Sequence, residues 1–133
     1  PEGLRAALED LAARTREQAG VACALECAGP VELADGVTAT HLFRIAQEAV
    51  SNALRHARPR QIRIGLAGGP AALTLAVRDD GVGIPEPAGE EKGLGIRLMR
   101  HRAGVIGGTL AVGAAEGGGT LVTCTLPRGN GNA

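Results

Sequence analysis

QEAVSNALRH, residues 47–56, has the apolar spacing of a buried helix, yet it carries Glu48, Asn52, Arg55 and His56. A repeat of about 3.6 residues sets residues four apart one above the other, so Glu48 and Asn52 form a stripe that Arg55 or His56 continues. The spacing predicts one helix over residues 38–57, with Leu42, Ile45, Ala46, Ala49, Ala53 and Leu54 as its apolar positions and Pro59 ending it. Such a helix buries one side and needs something polar opposite its stripe.

The neighbouring segments supply the rest of a fold. Leu4, Leu8 and Leu11 at helical spacing, closed by Gly20, predict a helix over 3–19. VACALEC follows as a strand, and RQIRIGLA and AALTLAVRD read as two strands of a hairpin turned by GGP. DDGVGIPEPAGEEKGLG, residues 79–95, holds seven Gly or Pro and five acidic residues, a composition that suits a mobile loop. IRLMRHRAGVI predicts a helix stopped by Gly107 and Gly108, TLAVGA and GTLVTCTLP are strands around the turn EGGG, and RGNGNA is a frayed tail over 128–133. Helices and strands in this order predict an α+β fold, one sheet with its helices segregated on one face.

Bulk properties narrow the function. The 133 residues fit a single domain, 1–133, with a core that needs no staples. Lys plus Arg and Asp plus Glu are 14 each, so no overall field holds a nucleic acid or an anionic membrane surface, and any anion must be gripped locally. Phe43 is the only aromatic residue, which removes the stacking platforms of single-strand binders. Cys23, Cys27 and Cys124 are an odd set without zinc spacing and read as reduced cytosolic thiols in the core. No apolar run reaches the roughly 18 residues of a membrane span. The chain begins with Pro1 rather than methionine and is read as a piece of something longer.

Two local features carry chemistry. Gly81, Gly83, Gly93 and Gly95 lie in one loop region ending at a helix start, where free amides and the helix dipole can hold phosphate. Neither common nucleotide fingerprint, G-x-x-x-x-G-K-[ST] or G-x-G-x-x-G after a first strand, is present, so a bare flexible turn competes with that reading. Asp79 and Asp80 close a largely apolar strand. A carboxylate there can accept hydrogen bonds from an exocyclic amine, or simply from the amides of the following turn.

In order, the blocks QEAVSNALRHA, VRDDGVGI, KGLGI and GGTLAV…GGGTLVTCTLP resemble the N, first-glycine, second-glycine and last-strand boxes of the GHKL ATPase superfamily. Within it the chain is similar to the catalytic ATP-binding domain of sensor histidine kinases, of the nitrate-sensor type, from about residue 3 to Pro127. The resemblance implies a two-layer α/β sandwich (Bergerat fold), a mixed and mostly antiparallel sheet with helices on one face, and a short ATP lid. It implies ATP and Mg²⁺ as ligands. Asn52 would ligate the metal through its side-chain oxygen, Glu48 would be the catalytic base or water-orienting acid, and Arg55 and His56 would reach phosphates. Asp79 would accept from the adenine amino group, supported by Thr120. Gly81, Gly83 and Ile84 would surround the base, and Lys92, Gly93, Leu94 and Gly95 would meet the phosphate tail.

Three departures accompany that resemblance. Asp80 stands where an asparagine is often found and is read as a lid-side surface residue without a role. The lid segment between Ile84 and Gly93 is short and lacks an aromatic residue, so it is expected to order on nucleotide binding. The phospho-accepting histidine is missing: His41 is read as a solvent-facing helix position, and His101 as a basic residue on a polar face. The implied activity is therefore phosphoryl transfer from ATP to a histidine on an absent dimerisation domain, with a response regulator downstream. An anti-sigma serine kinase of the same fold and a non-catalytic nucleotide-binding switch remain open beside it. The domain is expected to be cytoplasmic, to touch neither nucleic acid nor membrane, with a membrane anchor on the parent left open.

Overall fold

A computed structural model of the chain describes residues 3–31, 35–82 and 93–128. Helix α1 (Gly3–Ala19) is followed by strand β1 (Ala22–Ala28), helix α2 (Gly36–His56), the strands β2 (Gln61–Gly68) and β3 (Ala72–Asp79), helix α3 (Gly93–Val105), and the strands β4 (Thr109–Ala114) and β5 (Thr120–Pro127). The strands form one sheet in the order β1-β2-β3-β5-β4, with β1 and β2 parallel and the other three pairs antiparallel. The parallel pair follows from α2, which crosses over between β1 and β2, while the β2–β3 hairpin turns at GGP with Gly69 N donating to Ala72 O at 2.9 Å. The α+β fold, its mixed sheet and its helix-covered face are thus as the sequence predicts.

Alternation along the strands decides which face the helices cover. Ile62, Ile64 and Leu66 of β2, Leu73, Leu75 and Val77 of β3, and Val122, Cys124 and Leu126 of β5 are buried, whereas their neighbours along each strand are more open. Against them pack Leu4, Leu8 and Leu11 of α1, Leu42, Ile45, Ala46, Ala49, Val50 and Ala53 of α2, and Met99 and Ala103 of α3. This layer is the core. Burial pushes the Cys23 and Cys124 thiols up, and all three cysteines are free.

Asp35 starts α2 from an extended conformation, accepting from Val37 N at 2.9 Å and from the Thr38 hydroxyl at 2.8 Å. The Thr38 hydroxyl, then the Val37 amide, hold its carboxyl below the ordinary aspartate value. Three expectations change. GLG at 93–95 is helical rather than loop, because α3 begins at Gly93. Arg128 is not frayed: its amide donates to Ala71 O at 2.8 Å, and its guanidinium to Pro30 O at 2.8 Å and Gly69 O at 3.2 Å. His41 is half-buried, with Nδ1 at 3.3 Å from Arg102 Nη1, so it sits between α2 and α3 rather than facing solvent. His101 is exposed, as expected. Residues 129–133 of the expected tail lie outside the described residues.

Candidate functional site

The pleat that builds the core also places two polar side chains in it. Asp79 follows Val77 by two residues and Thr120 precedes Val122 by two, so both point to the helix-covered face, where they are 6% and 7% exposed. The β3–β5 ladder ends with Arg78 opposite Leu121, which makes Asp79 and Thr120 the next residues outward on adjacent strands. Among the described residues, the third buried polar side chain is Thr15, and its hydroxyl is satisfied by Leu11 O at 2.8 Å. Asp79 differs: Oδ1 accepts from Gly81 N at 2.8 Å, while Oδ2 and the Thr120 hydroxyl have no partner among the described residues. A buried polar atom left unpaired costs about 1–3 kcal/mol, so two side by side mark a place built to receive a donor.

Backbone from two directions fixes that strand end. Val82 N donates to Ala57 O at 2.9 Å, docking the bend after β3 on the C-cap of α2, and a Cβ at Gly81 would overlap Ala57. From the other side the β4–β5 turn approaches so closely that a Cβ at Gly119 would overlap the Asp79 carbonyl oxygen. Gly119 also has φ +92, which only glycine adopts without strain. Arg78 holds this turn by donating from Nη2 to Glu116 O.

The polar stripe of α2 forms the other end. Arg55 lies along it, with Nη2 donating to Asn52 Oδ1 at 2.6 Å and 3.5 Å from Glu48 Oε2, and Nη1 donating to Ser51 Oγ at 3.0 Å. The first turn of α3 passes directly over this stripe: a Cβ at Gly95 would overlap Glu48 Oε2 and stand 3.1 Å from Asn52 Nδ2. Gly95 is what lets the two helices meet here. The oxygen pair of Asn52 and Glu48 already faces one cation, the Arg55 guanidinium, and suits an oxygen-seeking divalent ion. Two side chains are too few to hold such an ion alone. Among the described residues no cluster of three or more His, Cys, Asp or Glu exists, so further ligands would have to arrive with a substrate.

The structure therefore joins Glu48, Asn52, Arg55 and Gly95 at one end and Asp79, Gly81 and Thr120 at the other, with α2 connecting them through Ala57. His56 is exposed and forms no hydrogen bond among the described residues. Gly93 and Leu94 lie in the first turn of α3, while Gly83, Ile84 and Lys92 lie outside the described residues. Sequence reasoning missed Ala57, Gly119 and Asp80. Gly119 had a signal in the run EGGG, whereas Ala57 acts through a carbonyl, which no side-chain pattern reveals.

Fold and site together define a two-layer α+β protein with its polar groups gathered where the helices meet one end of its sheet. The chain matches over residues 37–130 the family described as histidine kinase-, DNA gyrase B-, and HSP90-like ATPase, and it belongs to that family. It is 36% identical over 127 residues to the nitrate/nitrite sensor protein NarQ of Escherichia coli K12, covering 95% of this chain and 22% of NarQ. It is 32% identical over 129 residues to the sensor histidine kinase MctS of Rhizobium johnstonii, covering 95% of this chain and 28% of MctS. The chain thus spans less than a third of the length of either relative. Among solved structures, the histidine kinase domain of the Erythrobacter litoralis EL346 blue-light activated histidine kinase matches with TM-score 0.71 and 29% identity, over 93% of this chain and 60% of that one. The ATP binding domain of PrrB from Mycobacterium tuberculosis matches with TM-score 0.68 over 92% of this chain and 95% of that one; at 22% identity it shows the fold alone.

Proposed function

We propose that this chain is the ATP-binding catalytic part of a sensor histidine kinase, which transfers the terminal phosphoryl group of ATP to a histidine on a dimerisation domain outside this chain. The observation that carries the reading is the inward pair Asp79 and Thr120, a buried acceptor with an open oxygen beside a hydroxyl. The adenine amino group is a donor of the right kind for Asp79 Oδ2. Guanine presents a carbonyl at that position, so an acceptor would face an acceptor, and the base would be refused. The triphosphate would then run toward α3, whose first amides and positive dipole end suit phosphate oxygens.

At the far end Asn52 Oδ1 would hold Mg²⁺ together with phosphate oxygens and water, and Glu48 would steady the ion's water shell. When bound, the ion supplies charge to offset that on the transferring group. Arg55 must leave Asn52 Oδ1 for this to happen, and its guanidinium would then suit a phosphate oxygen. Glu48 would take the proton released as the acceptor nitrogen bonds to phosphorus and the bridging oxygen departs with ADP. The names of the relatives support a response regulator as the next recipient of the phosphoryl group. No helix among the described residues is long and apolar enough to cross a membrane.

Calorimetric titration with ATP, ADP and GTP, with and without Mg²⁺, tests the reading. Binding of both adenine nucleotides, strengthened by Mg²⁺ and much weaker for GTP, is expected. Equal affinity for GTP would remove the adenine role of Asp79, and Asn52→Ala with unchanged Mg²⁺ dependence would remove the metal role of the stripe.

A further inference from the structure

Asp80 is exposed, the usual condition of a surface acid without a task. Its bonds say otherwise. Oδ1 accepts from Arg60 N at 2.9 Å and from Gln61 N at 3.0 Å, and its own amide donates to Gln61 O at 3.3 Å. The β2–β3 ladder ends with Ile62 opposite Asp79, so these bonds begin where regular pairing stops. One carboxylate oxygen thereby satisfies two amides at the entry of β2, and those amides hold the carboxyl below its ordinary value, Gln61 contributing most among the lowering causes.

The consequence falls on Asp79. Its Oδ1 is held by the amide of Gly81, one residue beyond Asp80, so the direction in which Oδ2 points depends on where the Asp80–Gly81 peptide sits. That segment has three anchors: the β4–β5 turn, since a Cβ at Gly119 would come within 2.9 Å of Asp80 Cα; the carbonyl of Ala57, through Val82; and the start of β2, through the Asp80 carboxylate and the longer 3.3 Å bond of the Asp80 amide to Gln61 O. The first two are backbone contacts. The third adds a side chain that holds two amides to a single backbone bond.

We propose that Asp80 is a positioning residue for base recognition, a carboxylate that clamps the end of β3 to the start of β2 and so aims the open oxygen of Asp79. The inference rests on the reading that Asp79 meets adenine. Because the amides of Arg60 and Gln61 are at an exposed site, removing the clamp lets water replace it, so stability changes little while the geometry of Asp79 loosens.

The test measures affinity for Mg²⁺ with ATP and with GTP, and the thermal midpoint, for the chain and for Asp80→Ala, Asp80→Asn and Asp79→Asn. Asp80→Ala is expected to keep its midpoint within a few degrees, to bind ATP about fivefold more weakly and to narrow the ATP over GTP preference. Asp80→Asn, whose carboxamide oxygen can accept the same two amides, is expected to restore both quantities. An Asp80→Ala variant with unchanged affinity and base preference overturns the proposal, as does one that fails to fold, since the clamp would then serve stability. Failure of Asp80→Asn to restore binding also overturns it. If instead Asp79→Asn leaves affinity and base choice untouched, the adenine reading itself has failed, whatever Asp80 does.

Discussion

Asp79 shows how one residue gains a role from direction. On the proposal that Asp79 meets adenine, an amide in its place would keep an oxygen for Gly81 but turn an NH₂ group toward the adenine amine, donor against donor. Asp79→Asn should therefore weaken ATP binding about ten- to a hundredfold and relax the choice of base, measured by calorimetry. Gly95 sets two effects against each other. Alanine is favoured in a helix by about 1 kcal/mol over glycine, yet its methyl would overlap Glu48 Oε2. The obstructing atom is the end of a side chain only partly buried and weakly tied to Arg55, so Glu48 swings aside and the fold survives. Gly95→Ala should thus leave the thermal midpoint unchanged or slightly higher while the Mg²⁺-dependent part of ATP binding falls about tenfold. A parallel loss of midpoint and binding would contradict that division.

At the scale of the element, the cap and the turn make opposite predictions. Asp35 starts α2, the helix that carries the polar stripe, and its folded carboxyl is held below its unfolded value. Its contribution is accordingly present above the unfolded value near pH 4 and is lost as pH falls through the lower folded value. Asp35→Ala should lower the midpoint at pH 7, and the gap from the parent chain should close in melts taken at steps below pH 4. The β4–β5 turn has no such pH dependence. Gly119→Ala forces φ +92 on a residue with a side chain, a cost of roughly 1–3 kcal/mol before the overlap with the Asp79 carbonyl is added. Backbone cannot swing aside as Glu48 can. This variant should lose stability in denaturant titration and nucleotide binding together.

For the whole molecule, the buried layer between helices and sheet predicts an order of chemical access. Cys27 is half-buried while Cys23 and Cys124 are buried with raised thiols, so an alkylating reagent should modify Cys27 first and the other two only on unfolding, as read by mass spectrometry. Ligand binding should also stabilise the fold as a unit, because the proposed site draws on α2, α3, β3 and β5. Saturation at a hundred times the dissociation constant adds about 2.7 kcal/mol, a rise in midpoint of roughly 10 °C for a chain of this size.

The order of elements was legible because period and punctuation are local: Leu4, Leu8 and Leu11 at helical spacing, alternation in QIRIGLA, and GGP between two strands need no partner to be recognised. So were the chemical types at the site, since Glu48 and Asn52 share a stripe wherever the helix is placed. What the chain order could not express was approach. That GLG belongs to a helix, that His41 meets Arg102 and that Arg128 ties the end of β5 to Pro30 and Gly69 all depend on segments far apart in sequence. Asp80 is the sharpest case: a charged residue beside a glycine looks like solvated loop until β2 brings two amides under it. Which groups this protein can present was settled along the chain, because side-chain chemistry and periodicity are properties of neighbours. Which oxygens stand open and which are held came from the folded molecule, because hydrogen bonds and excluded volume act between atoms that the fold brings together.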